Sequence, residues 1–223
     1  MIKQNPKRAK QLLLAFLVIL IIGCLALVLR DDSALSKCGL PPGDQTIPTK
    51  PPKAKWELVG KLAAPAAPDT IGPKVVQDDL PSCFAHSPTG ALFAAVNINA
   101  GLSLAARRNL PIAQQKIVLK RYAAAGPGYD AALARLAQDD PPSDSAGTTQ
   151  VAGFKIVRYE GSSAVIDLAF RVDKLYTSGY VHATQTLRWE DGDWKLVLTQ
   201  TGEPFDAAQQ IPGLGGYVPW SGV

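Results

Sequence analysis

Three hydrophobic patterns follow one another along the 223-residue chain. The first is the run 12–29, eighteen apolar or small residues with no charge among them. At ~1.5 Å per residue such a run makes about 27 Å of helix, close to the ~30 Å hydrocarbon core, and it predicts an N-terminal transmembrane helix. Lys3, Lys7, Arg8 and Lys10 precede it and Arg30-Asp31-Asp32 follow it. The excess of basic residues before the run places 1–11 in the cytoplasm as a short tail and the rest outside the cell membrane. From 30 to 79 prolines dominate, Pro41-Pro42 and Pro51-Pro52 among them, which predicts an extended, semi-rigid stalk. Within it 56–62 reads as a short strand, and Pro65, Pro68 and Pro73 predict an irregular course over 63–81.

The second pattern has the helical period. Ser87-Pro88-Thr89 supplies a cap and a first-turn proline for a helix over 90–106 carrying Leu92, Phe93, Val96, Ile98, Leu102 and Leu104. Asn97, Asn99 and Ser103 make it a poor second membrane span, and a central core helix is expected instead. Pro111 opens a helix with Ile112, Gln115, Val118, Leu119 and Tyr122 on one arc, Gly126-Pro127-Gly128 ends it, and 129–138 forms a third with Leu133 and Leu136.

From 151 the period falls to two. Ile166, Leu168, Phe170 and Val172 alternate with Val165, Asp167, Ala169 and Arg171, a half-buried strand flanked by strands over 154–159, 181–189 and 194–201. Glu190-Asp191-Gly192-Asp193 is a hairpin turn between the last two. Helices followed by a meander predict an α+β class, with about three helices on a curved four-stranded antiparallel sheet spanning 80–202. A Gly/Pro/aromatic tail, 203–223, completes the chain.

Charge changes this picture little. Of 23 basic residues four lie in the first ten positions, leaving 19 against 19 acidic. A neutral exported part gives no electrostatic case for direct nucleic-acid binding. Between Leu80 and Tyr129, however, Arg107, Arg108, Lys116, Lys120 and Arg121 occur with no acidic residue. This is either a solvated helix face or a contact for lipid headgroups or an acidic partner. In the tail, Tyr217 and Trp220 are either packed on their own sheet or exposed as partner anchors.

Ile21-Ile22-Gly23-Cys24 has the form of a lipobox that would acylate Cys24, but 25–29 stay apolar where lipoproteins usually turn polar; both alternatives hold the domain outside. The two remaining cysteines, Cys38 and Cys83, read as one disulfide in an oxidising compartment. Cys83 and His86 fall short of a metal site, and no metal or cofactor is expected. Asp167 and His182 lie by parity on the face away from the core, so they do not form an internal acid–base pair. Tyr122, Tyr129 and His86 are left as residues that could line a cavity.

Three helices followed by four antiparallel strands and the hairpin Arg188-Trp189-Glu190-Asp191-Gly192-Asp193-Trp194-Lys195-Leu196 resemble the cone of the nuclear transport factor two superfamily. With the basic tail, membrane helix and stalk, the chain resembles bitopic inner-membrane scaffold proteins of type IV secretion and conjugative DNA transfer. The stretch Ser82-Cys83-Phe84-Ala85-His86-Ser87-Pro88-Thr89-Gly90 and its continuation to Asn97 is similar to actinobacterial membrane proteins that accompany conjugative elements. The resemblance implies a non-catalytic assembly component, anchored through 12–29, with other subunits of a transfer machine as partners and homo-oligomerisation left open. The alternative is a lipoprotein or binding module that uses the cone cavity for a small ligand.

Overall fold

The computed structural model describes residues 37, 39–108, 110–137, 149–172 and 179–222. In chain order they form β1 Lys55–Val59, β2 Leu62–Ala66, β3 Val75–Gln77, β4 Leu80–Ser82, α1 Pro88–Arg107, α2 Ile112–Tyr122, α3 Pro127–Ala137, β5 Thr149–Tyr159, β6 Ser163–Val172, β7 Tyr180–Glu190, β8 Asp193–Val197, β9 Gln209–Ile211 and β10 Val218–Pro219. The α+β class and the three helices are as expected; the rest of the expected architecture needs correction.

The largest sheet has six strands in place of four. Its order is β10-β5-β6-β7-β8, with β9 paired to β7, and every pairing in it is antiparallel. Its four long members are the predicted meander. The two added strands come from the C-terminal segment, which is therefore a strap and not a loose tail. A cone closed on four strands does not describe this fold. Among the described residues no helix is long and apolar enough to cross a membrane, and the run 12–29 lies outside the described residues.

The second correction concerns 30–79. Pro65 does not prevent β2 from pairing with β1 from Lys55–Ala66 to Val59–Leu62, because both strands of a two-stranded ribbon are edges, where proline is tolerated. A second ribbon, β3–β4, follows within the stretch expected to be irregular. Leu40 is fully buried, and Pro52 accepts the indole N–H of Trp220 at 3.1 Å. The supposed stalk is thus held to the domain at Leu40, at Pro52 and at Gln45, which donates to His86 O and accepts from the Tyr159 hydroxyl.

α1 explains why the core sits where it does. Ser87 Oγ accepts the Gly90 N–H at 3.0 Å, capping the helix ahead of Pro88 as predicted. Ala91 to Ala95 are completely buried, since β1, β2 and β4 pack on the helix as well as β5 to β8. A helix covered on so many sides must be apolar nearly all round. Its one deeply buried amide, Asn97, donates to Pro65 O and Phe93 O, both at 2.9 Å. A Cβ at Gly101 would stand 2.5 Å from the Tyr122 hydroxyl, so glycine there is what lets α2 approach α1.

Candidate functional site

The hairpin and the Ser82–Gly90 stretch, the two sequence features that carried the resemblance, meet in the structure. Asp191 and Gly192 have φ of 56° and 73°, the pair of left-handed residues that a two-residue hairpin turn needs. The turn delivers Asp193, 3% exposed, to the backbone of the other stretch. Its carboxylate accepts the N–H groups of Cys83 at 2.8 Å and Phe84 at 3.0 Å, as well as that of Trp194, and Lys37 Nζ lies 3.2 Å away. Successive backbone donors around one carboxylate hold Cys83 at φ 74°, a conformation seldom adopted by a residue with a side chain. Trp194 donates to Ala85 O at 2.9 Å. His86, expected as a cavity residue, is instead stacked on Trp189 at 4.2 Å with its Nε2 3.0 Å from Gly161 O. Tyr122 is likewise structural, donating to Pro81 O at 2.9 Å, and burial raises its pKa far above the ordinary tyrosine value. These residues form a hub that staples the hairpin to the Ser82–Gly90 stretch.

A second polar cluster lies on the opposite face of the large sheet. β9 attaches to β7 and β10 to β5, so the strap between them passes over β6. Under it Asp167, on the face away from the core as parity requires, is only 7% exposed. Tyr217 donates to Asp167 Oδ2 at 2.7 Å, and His182 Nδ1 lies 2.9 Å from Oδ1. Burial foremost, then the hydrogen bond to Asp167 and its negative charge, push Tyr217 above the usual tyrosine range, so at neutral pH it is a protonated donor. The carboxylate fixes the His182 ring through Nδ1, and among the described residues Nε2 has no hydrogen-bond partner.

The expected contact residues separate into spent and free groups. Arg108 pairs with Asp79 at 2.5 Å and donates to Asp78 O. Arg121 donates to Gln77 O at 3.1 Å and to the Gln77 side chain. These two arginines hold the β3–β4 turn, where Asp78 and Asp79 have φ of 55° and 61°. The side chain of Arg107 lies outside the described residues. Lys116 and Lys120 are exposed, and Lys120 acts on Asp191, whose pKa is lowered chiefly by a hydrogen bond from Lys195 and then by the charges of Lys195, Lys37 and Lys120. Trp220 is core, 5% exposed and packed on Trp56 at 4.9 Å and on Phe93 and Phe154 at 5.5 Å. Neither Trp220 nor the Asp167-bound Tyr217 is available as an exposed anchor.

Cys83 is fully buried and disulfide-bonded, and the described residues contain no second cysteine. Cys38 and Cys24 lie outside them. Tyr129 is half-buried and joins neither cluster. Sequence reasoning missed two residues: Asp193, read only as part of a turn, and Gln185, 2% exposed with neither side-chain amide atom hydrogen-bonded among the described residues.

Among the described residues no group of three or more His, Cys, Asp or Glu side chains is placed to hold a metal ion. The cleft between Leu62, Val96, Asn99 and Phe170 amounts to about 10 Å³, at the threshold for a single water. The model of a family described as a domain of unknown function (DUF8175) matches residues 27–219. No curated protein matches the chain, and no solved structure matches it.

Proposed function

The chain belongs to the DUF8175 family, and on that premise we propose that it is a non-catalytic assembly component held at the outer face of the cell membrane, serving a conjugative DNA transfer machine. The family match covers residues 27–219 and runs into β10, which supports treating 37–222 as one module; the apolar run 12–29 is the proposed anchor. The anchor is a retained helix over 12–29 or an acyl group on Cys24; mass spectrometry of the N-terminal peptide separates them.

The observation that carries the proposal is the division of labour among the polar groups. Asp193, His86 and Tyr122 hold backbone, and Asp167 holds the strap, while Lys116 and Lys120 are exposed on α2. A catalyst needs a preorganised polar site that a substrate can enter; a docking domain needs a face left unused by its own fold. The conjugative assignment rests on the resemblance of the Ser82–Asn97 stretch, and its test is direct. Deleting the gene should lower the transfer frequency of a resident conjugative element, and normal transfer would remove the assignment. Crosslinking in native membranes would then name the subunits contacted.

Topology and covalent structure have their own tests. Protease added to intact spheroplasts should digest the domain, and its survival would reverse the orientation. Cys38 is the proposed disulfide partner of Cys83, and thiol labelling of Cys38 in the non-reduced protein would exclude it.

One observation favours a second reading. Asp167 orients His182 through Nδ1, and among the described residues Nε2 meets no hydrogen-bond partner, the arrangement of a general base or of an imidazole held for a ligand. His182→Gln at normal abundance should leave transfer intact under the docking proposal. A loss of transfer with an unchanged fold would move the function to His182.

A further inference from the structure

We infer that β1 is the edge at which two copies of this chain join, strand to strand and antiparallel, merging their β1–β2 ribbons into one four-stranded sheet. Neither the conjugative role nor the membrane anchor is a premise of this self-contact. The phase of the ribbon decides which backbone groups β1 leaves unused. Val59 and Leu62 flank the two-residue turn at Gly60 and Lys61, so they form a hydrogen-bonded pair, and alternation makes Glu57–Ala64 and Lys55–Ala66 the others. Two observations fix the same phase. Pro65, which has no N–H to give, stands opposite Trp56, and the N–H of Ala63, opposite Leu58, turns away to Gln150 Oε1 at 3.1 Å. Trp56 and Leu58 therefore aim their N–H and C=O groups out of the ribbon, where they meet no partner among the described residues. Leu58 is also 76% exposed.

Edges of the large sheet are blunted against such pairing. The Ala124 N–H bonds to Leu196 O of β8 at 2.9 Å, β9 takes one end of β7, and β5 is broken by register shifts at Val151/Gly153 and Ile156/Arg158. β1 pairs with β2 without a register shift and contains no proline, so its outer edge is left straight.

Charge complementarity selects a second copy as the occupant and also selects the register. A two-fold contact pairs outward-facing residues with one another. Trp56 set against Trp56 of the other copy brings Lys55 opposite Glu57 twice, at the closely spaced positions, and lays Leu58 beside Ala54. Trp56 set against Leu58 would instead bring Glu57 opposite Glu57, and Leu58 set against Leu58 would bring Lys55 opposite Lys61; like charges directly opposite are destabilising. Lys55 and Glu57 are both exposed, and among the described residues neither side chain has an ion-pair or hydrogen-bond partner. The strand thus carries the complement of its own charge pattern.

The test is sedimentation of the full chain in mild detergent over a range of concentrations, because a contact of this size is weak and shows as concentration-dependent association. Wild-type protein should approach a dimer. Glu57→Lys makes both cross-strand pairs repulsive and should weaken the dimer about tenfold, while Lys55→Glu together with Glu57→Lys should restore it. Both positions are exposed, so circular dichroism should be unchanged in each variant. In native cells, two differently tagged copies in a Cys24→Ala background, one carrying Lys55→Cys and the other Glu57→Cys, should form a 55–57 disulfide, and Glu57→Cys by itself should form none between copies at 57. A monomeric wild-type chain, a charge swap that stays monomeric, or a 57–57 disulfide overturns the inference. A dimer made elsewhere, by the apolar run 12–29 for instance, would be indifferent to Glu57→Lys, and that result overturns it as well. Crosslinks from 55 and 57 that reach only other proteins give the edge to a different partner and overturn the self-contact too.

Discussion

The two faces of the six-stranded sheet treat polar side chains in opposite ways. On the face toward α1, Ile166, Leu168 and Leu187 are completely buried, and Gln185, opposite Ile166 in the register, has no partner for either amide atom among the described residues. On the other face Asp167 is nearly as deep and is satisfied twice, by Tyr217 and His182. The first face is covered by helices that must exclude water. The second is covered by a strap that brings its own hydrogen-bond donor. Burial under a strap and burial in a core are thus distinct, and only the second demands apolar residues.

Trp220 joins the two faces, because its backbone N–H bonds to Ala152 O on the β5 side while its ring enters the core beside Phe93 and Phe154. Trp220→Ala should cost about 3–5 kcal/mol, read as a lower denaturant midpoint with simultaneous exposure of the strap to protease. A small effect would mean that the strap is dispensable and that the outer face is ordinarily open. Asp193→Ala should be comparably damaging, about 3–5 kcal/mol, since it strands three backbone N–H groups and Lys37. Asn at that position, which keeps one acceptor oxygen, should recover part of the loss.

How much of this was legible in the sequence follows the same division. The inner face was, because period-two alternation from Ile166 to Val172 and the apolar helix 90–106 are direct consequences of packing around one core. The helix cap at Ser87 and the Asp191-Gly192 turn were also plain, since each obeys a local rule. The strap was not legible: Gln209–Ile211 and Val218–Pro219 are too short to show a period, and a Gly- and Pro-rich tail looks the same whether it is docked or loose. Parity puts Asp167 on the face away from the core, where it is found, but parity gives a side chain's direction and not what lies above it, so its burial stayed hidden. The ribbons within 55–82 were hidden by prolines that edge strands accept. The basic cluster itself is plain in the sequence, but only the contacts of Asp78, Asp79 and Gln77 separate the structural arginines from the exposed lysines.

The strap latch should be measurable by itself. Tyr217→Phe removes one donor to a buried carboxylate and should cost about 1–2 kcal/mol. Its pH dependence has a definite sign. The folded pKa of Tyr217 is raised above the ordinary value of 10.0, so the stability it lends is complete below pH 10 and is lost as pH rises through the folded value. Tyr159 behaves in the same direction, pushed by burial to about 12. Wild-type protein should therefore lose stability above pH 10, and Tyr217→Phe should flatten part of that decline. Equal alkaline slopes in the two proteins would show that the Tyr217–Asp167 bond does not secure the strap.

The smallest expected effect has the opposite sign and probes the inner face. Gln185 sits in β7 between Ala183 and Leu187, with Ile166 across from it, and burying an amide without hydrogen bonds costs about 1–3 kcal/mol. Methionine has nearly the same length and shape and carries no hydrogen-bonding demand. Gln185→Met should raise stability by about 1 kcal/mol, measured by urea denaturation with an unchanged m-value, and Gln185→Ala should lower it by leaving a cavity. A loss of more than about 1 kcal/mol in Gln185→Met would mean that the amide has a partner in the working protein. Gln185 would then be a polar group kept in the core for use, and the contrast between the two faces would narrow to a difference in what covers them.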